Sequence, residues 1–137
     1  MIIVGKLSRI AQVDLVKAGQ LDGGSLRLFQ NDFTPNADSL LAAFIVADFV
    51  GYANKTIVTW GAAFLDPTGL ATTLAPLQTW TPTNGVSPNT VFGCYFLDAG
   101  GDLVWSYRFP NPVYFADANS VFNMVPKFQS GQIAQPA

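Results

Sequence analysis

The stretch Thr90-Val91-Phe92-Gly93-Cys94-Tyr95-Phe96-Leu97-Asp98-Ala99-Gly100-Gly101-Asp102-Leu103-Val104-Trp105-Ser106-Tyr107-Arg108-Phe109 decides the fold. Two runs of β-branched and aromatic residues, Thr90 to Leu97 and Leu103 to Phe109, flank a five-residue link holding two glycines. That arrangement is the signal of an antiparallel hairpin. Strict alternation places Leu103, Trp105, Tyr107 and Phe109 on one face and Val104, Ser106 and Arg108 on the other. In the partner strand it sets Phe92, Cys94 and Phe96 against Val91, Gly93, Tyr95 and Leu97. A solvated sheet alternates apolar with polar residues, whereas here the second face is only half polar. It is therefore expected to be covered, either by N-terminal helices or by a neighbouring subunit.

Upstream, residues 7–19 have helical spacing at Ile10, Val13, Leu15 and Val16, with Ser8 as N-cap and Gly19 as C-cap. Asp22-Gly23-Gly24 reads as a turn before a strand over Ser25 to Gln30, with Leu26 and Leu28 facing one way and Arg27 and Phe29 the other. Asn31 to Asn36 has loop chemistry, and Asp38 is placed to cap a second short helix over Ser39 to Phe44. Lys55 to Phe64 reads as a strand. The turn Asp66-Pro67-Thr68-Gly69 leads into strands over Leu70 to Leu74 and Leu77 to Trp80, and residues 81–88 form a loop. Ser120 to Phe128 is a strand in which Pro126 marks an edge or a bulge. About seven short strands with frequent turns predict a mainly β, antiparallel β-sandwich with one or two short N-terminal helices. The organisation expected is an arm and short helix over 1–24, the sandwich over 25–128 and an extended tail over 129–137.

At 137 residues the chain fits one domain, and half of its residues are hydrophobic. Seven Lys/Arg against nine Asp leave a net charge of −2. The cations (Lys6, Arg9, Lys17, Arg27, Lys55, Arg108, Lys127) are scattered singly, so no patch exists to neutralise several phosphates, and nucleic acid is not an expected partner. Charged residues are 12% of the chain, about half the usual ~25%. A chain so poor in charge is suited to having much of its surface covered by partners. Leu40 to Ala47 is the longest apolar run, too short to span a bilayer, so no membrane partner is expected. The N-terminus lacks a secretory signal pattern, and synthesis and folding are expected in a cytoplasm.

The chain has no His and no Glu, which removes the usual general bases and argues against an enzyme. Cys94 lies in an apolar strand and reads as a small buried hydrophobe, without a neighbouring base to activate it. Trp60, Trp80 and Trp105 could line a sugar cleft, but aromatics in a small β domain usually serve the core. Asp22, Asp66, Asp98, Asp102 and Asp117 sit in turns, where Asp bonds to its own backbone; no spacing among them suggests a metal site or a catalytic carboxylate pair. Neither metal nor cofactor is expected. Arg108, inside an aromatic strand, calls for an intrachain partner such as Asp98 or Asp102, with an intersubunit pair as the alternative.

The order of segments resembles a small family of virion proteins of tailed bacteriophages, cyanophage-type members included. The matching words are Leu26-Arg27-Leu28-Phe29-Gln30-Asn31-Asp32-Phe33-Thr34-Pro35, Ala47-Asp48-Phe49-Val50-Gly51-Tyr52-Ala53, Val91 to Asp98, and Gly101 to Phe109 with Pro112 after it. Ser106-Tyr107 stands where such proteins often carry Ala-Glu, so a carboxylate–arginine pair on the hairpin is not implied. The resemblance implies a non-enzymatic, β-rich structural subunit located in the virion and carries no catalytic residues. For this chain the expected role is a capsid decoration or cement protein. Its partners would be the major capsid protein and neighbouring copies, as a homo-oligomer or lattice-bound subunit. Arms at the termini would make the contacts, through Ile2, Ile3, Val4, Gln129, Gln132 and Ile133. A tail, fibre or adaptor subunit is the alternative within the virion, and a carbohydrate-binding module the alternative from another class.

Overall fold

A computed structural model describes residues 6–83, 89–117 and 119–129. Among these residues helix α1 (Lys6–Val16) is followed by a π-turn over Lys17–Leu21 and nine strands. These are β1 (Gly24–Phe29), β2 (Lys55–Ile57), β3 (Phe64–Leu65), β4 (Ala71–Leu74), β5 (Gln78–Trp80), β6 (Asn89–Leu97), β7 (Leu103–Phe115), β8 (Phe122–Met124) and β9 (Lys127–Gln129). Every pairing is antiparallel. The strands form a larger sheet in the order β2-β1-β6-β7, a three-stranded sheet β3-β4-β9 and a two-stranded pair β5-β8. The protein is thus mainly β with one short N-terminal helix, as the turn spacing predicts.

The main core lies between the inner face of the larger sheet and the two smaller ones. Leu26, Leu28, Cys94 and Phe96 from the larger sheet meet Trp60, Ala75 and Trp80, with Met124 and Phe128 packed against them. Two of the largest side chains, Trp60 and Trp80, are 1% exposed, and each places its indole N–H on a backbone carbonyl, Leu21 O at 3.1 Å and Ala53 O at 3.0 Å. Burying an indole without such a partner would forfeit much of the gain from its area. Helix α1 lies against β3 and β4 and contributes the fully buried Val13.

Several expected elements change where the chain passes from one sheet to another. The single strand expected over Lys55 to Phe64 is two, β2 in the larger sheet and β3 in the smaller. Between them Asp22 Oδ1 accepts the Trp60 N–H at 2.7 Å, Gly61 N–H donates to Leu74 O at 2.7 Å, and Trp60 turns into the core. The strand expected over Ser120 to Phe128 also divides, into β8 and β9, with Pro126 at the break. Helix α1 runs through Ser8 and ends in the π-turn that contains Gly19; the positive φ of +80° falls at Gly23 instead.

The second helix expected over Ser39 to Phe44 is only a 3-10 turn, Leu41–Ala43, without a side-chain cap. Asp38 does not cap it; Asn36 Oδ1 accepts the Asp38 N–H in a local turn at 2.8 Å. The segment is drawn out along β1 instead. Gln30 N–H donates to Ile45 O and Ala47 N–H to Leu28 O, while the Asn31 amide bonds both Ala43 O and the Ile45 N–H. Four bonds to a fixed strand end outweigh one weak helical turn. Of the loop expected over 81–88, residues 84–88 lie outside the described residues.

Two bulges in the β6–β7 pair reassign the faces expected from alternation. Val91 pairs with Val113 and Gly93 with Arg108, so Phe109–Pro112 stand against Phe92 alone. Phe92 therefore leaves the Cys94 and Phe96 face and joins Tyr95 and Leu97 on the outer side. A second shift at Phe96/Leu97 sends Leu103 to the outer face while Val104 and Trp105 pack inward. Each extra residue rotates the following side chains by one position.

Candidate functional site

The outer face of the larger sheet was the first candidate for contact with another subunit. It is covered from within the chain, by the segment expected to form the second of the N-terminal helices, which is drawn out rather than helical. Phe33 and Phe44 of the 31–46 segment pack on Phe29, Tyr95, Leu97, Phe92 and Leu103. Phe44 stacks on Tyr95 with ring centroids 4.5 Å apart and meets Phe29 edge-on at 5.3 Å. The segment's own outer side then becomes surface, leaving Leu40, Leu41, Ile45 and Val46 exposed, Leu40 by 74%.

Arg108 is held inside the chain, with Asp32 as its partner in place of Asp98 or Asp102. Nη2 meets Asp32 Oδ1 at 2.8 Å, Nη1 donates to Phe33 O at 2.8 Å, and the guanidinium lies 5.3 Å from the Phe92 ring centroid. Arg108 thereby pins the start of the covering segment to β7.

The turn aspartates make local bonds, to which Asp22 and Asp66 each add a long-range one, with the Trp60 N–H and the Gln129 amide. Asp98 Oδ1 accepts the Asp102 N–H at 2.9 Å across the hairpin, Asp117 Oδ1 accepts Asn119 N–H at 2.8 Å, and Asp22 pairs with Lys17 at 2.9 Å. Asp66 accepts from the Thr68 hydroxyl and from the Thr68 and Leu70 amides; the hydroxyl bond leads in holding its carboxyl below the usual range. Among the described residues no group of three or more metal-ligating side chains comes together. Cys94 is fully buried, and burial pushes its thiol up to about 12. A thiol held protonated is a poor nucleophile.

Two clefts open on the surface. The first, of ≈ 610 Å³, lies between Pro35–Leu41 and the tip of the β6–β7 hairpin, with Asn36, Ser39, Asp102 and Ser106 among its walls. The second, of ≈ 500 Å³, lies between β7 at Trp105–Tyr107 and the run Met124–Gln129, with Cys94 also in its lining. Trp105 borders both. It stacks on Phe96 with the rings 3° from parallel, and its indole nitrogen is buried with no hydrogen-bond partner among the described residues.

Of the predicted contact residues, Ile2, Ile3, Val4, Gln132 and Ile133 lie outside the described residues. Gln129 closes β9 and borders the second cleft; its side-chain amide is engaged within the chain, donating to Asp66 Oδ2 and to Thr72 Oγ1 at 3.0 Å. Both cleft walls were invisible to periodicity, because they arise where edges of different sheets approach. Pro126 was the one signal in the sequence that pointed there. No helix among the described residues is long and apolar enough to cross a membrane. The chain matches no protein-family model, no curated protein and no solved structure.

Proposed function

We propose that this chain is a non-enzymatic structural protein of a tailed-phage particle, a decoration or cement subunit that binds the major capsid protein lattice and neighbouring copies of itself. The observation that carries the reading is the surface. Large apolar side chains stand exposed at many separate places, among them Leu15, Leu40, Ile45, Val58, Leu77, Tyr114 and Val121, on a chain with only 12% charged residues. Scattered singly such side chains are ordinary, but grouped as Leu40, Leu41, Ile45 and Val46 are along the covering segment they favour burial against a partner. The resemblance of the segment order to tailed-phage virion proteins points the same way. Many copies on a symmetric lattice would make modest individual contacts effectively permanent.

The test is the ratio of this chain to the major capsid protein in purified particles, read by quantitative mass spectrometry. A ratio near one, or a simple fraction of it, is expected. A handful of copies would move the chain to a tail, fibre or adaptor position, and absence from particles would overturn the reading. The glycan-binding alternative has lost two of its three tryptophans to the core, since Trp60 and Trp80 have no accessible ring face.

A further inference from the structure

Among the described residues, the second cleft is bordered by a strand edge that has no second partner: β9 pairs with β4 alone, and β7 is the outermost strand of the larger sheet. Ala75 N–H donates to Pro126 O at 2.9 Å, and Thr73 stands opposite Phe128. Because backbone groups alternate in direction along an antiparallel strand, Pro126 and Phe128 point theirs towards β4. Lys127 and Gln129 therefore turn their N–H and C=O away from β4, to the side walled by Trp105–Tyr107. Phe128 packs on the main core, and the rim residues Tyr107 and Val125 are about half exposed. Such an edge, beside an apolar floor, is an acceptor for an added strand.

The eight residues after Gln129 are Ser-Gly-Gln-Ile-Ala-Gln-Pro-Ala, uncharged, with Ile133 their single large apolar side chain. We infer that residues 132–135 of a second copy of this chain add antiparallel to the open edge of β9. Side-chain parity fixes the register. Ile133 must share the face of Phe128, which sets Ile133 opposite Phe128, Gln132 opposite Gln129 and Ala134 opposite Lys127. The free backbone groups of Gln129 and Lys127 are then both bonded, and Pro136 ends the pairing just beyond.

Turn chemistry selects a second copy over the same chain. Folding back in this register would leave a two-residue loop of Ser130 and Gly131. The turns that suit such a loop need positive φ at the first central residue, where serine is disfavoured. A loop longer by one residue would turn Ile133 to the outside. The inference rests on the assembly reading, which supplies neighbouring copies at high local concentration. A chain that is both donor and acceptor forms either a reciprocal dimer or a longer series.

The test uses two full-length variants, Lys127→Cys as acceptor and Ala134→Cys as donor, with Ile133 untouched. Paired positions of this kind have Cα atoms about 5.5 Å apart, within disulfide range. Both variants also carry Cys94→Ala, because Cys94 contributes to the lining of the same cleft. Mixed and oxidised, the two are expected to give the acceptor–donor heterodimer in excess over either homodimer, and Ile133→Asp in the donor is expected to abolish that excess. A chain carrying both cysteines that closes on itself as a monomer would overturn the inference in favour of the chain's own tail. Absence of heterodimer and of closed monomer alike would remove the cleft as a strand acceptor. Either failure is independent of particle stoichiometry, which judges the assembly reading.

Discussion

The guanidinium of Arg108 lies over the ring of Phe92, 5.3 Å from its centroid, on the outer face of the larger sheet. Phe92 is there only because the register shift between Val91 and Gly93, where β7 bulges, turns it out of the core. The bulge thus creates the platform on which Arg108 rests while it holds Asp32 and the Phe33 carbonyl. Two variants separate these contacts. Asp32 is 69% exposed, so Asp32→Asn should cost at most about 1 kcal/mol. Arg108→Ala loses the ring contact, the carbonyl bond and the packing of its stem, and should cost about 2 kcal/mol. Urea denaturation of the two variants measures the difference, and equal losses would mean that the exposed ion pair dominates.

Gly93 marks a second close approach. A Cβ at this position would collide with the Tyr107 carbonyl and come within 2.6 Å of the Phe29 ring. One obstacle is backbone and the other is a fully buried ring, so neither yields cheaply. Gly93→Ala should destabilise the fold by about 2–3 kcal/mol, through overpacking. Gly100, with only the Asp98 carboxylate at 3.3 Å, provides the control: Gly100→Ala should stay within about 1 kcal/mol. Thermal unfolding followed by circular dichroism reads both.

Phe44 tests the covering segment. It is 8% exposed and touches Phe29, Phe33 and Tyr95. Phe44→Ala should cost about 3 kcal/mol and raise amide exchange across 40–47 more than in β6. Uniform acceleration over the whole chain would show that the segment does not open by itself.

Tyr52 sets an alkaline limit. Its hydroxyl accepts the Leu28 N–H at 3.1 Å and donates to Asn54 at 2.7 Å, and burial pushes its pKa from 10.0 up to about 12. The native state therefore keeps the proton after the unfolded chain has lost it. The resulting stability is complete below pH 10 and is lost as the pH rises towards 12. Tyr52→Phe should be about 1 kcal/mol less stable at pH 7 and decline less steeply between pH 10 and 12. Parallel decline of the two proteins would remove Tyr52 as a source of that loss.

Cys94 gives the simplest chemical check. With its thiol buried and held near 12, it should resist alkylation in the native protein at pH 8 and react fully in denaturant. Rapid native labelling would place the β6–β7 pair in frequent opening.

The hairpin, the strand over Ser25 to Gln30 and the turns at Asp98 and Asp117 were legible because each depends on residues close in sequence. Asp98 bonds across its own loop, and Gly101 takes the positive φ of +91° that the turn demands. Periodicity failed where tertiary contacts intervene. Nothing local in Lys55 to Phe64 shows that Trp60 will be drawn into the core by Asp22 and Leu21. Nor does Ser39 to Phe44 show that Asn31 will hold the chain extended against β1. Phe92 and Leu103 were assigned to the wrong faces for a similar reason: a bulge is a mismatch between two strands and belongs to neither sequence alone. The second cleft was hidden for the same reason, as its walls come from different sheets.

The four residues that stand against Phe92 include Pro110 and Pro112, on the outermost strand of the larger sheet. Neither has an N–H to offer, and the local bend spoils the spacing that a further strand would need. An outermost strand of 13 residues would otherwise be a template for indiscriminate aggregation. The prolines cut that template into two short pieces. Crowded chains can then lie edge to edge without fusing into fibres.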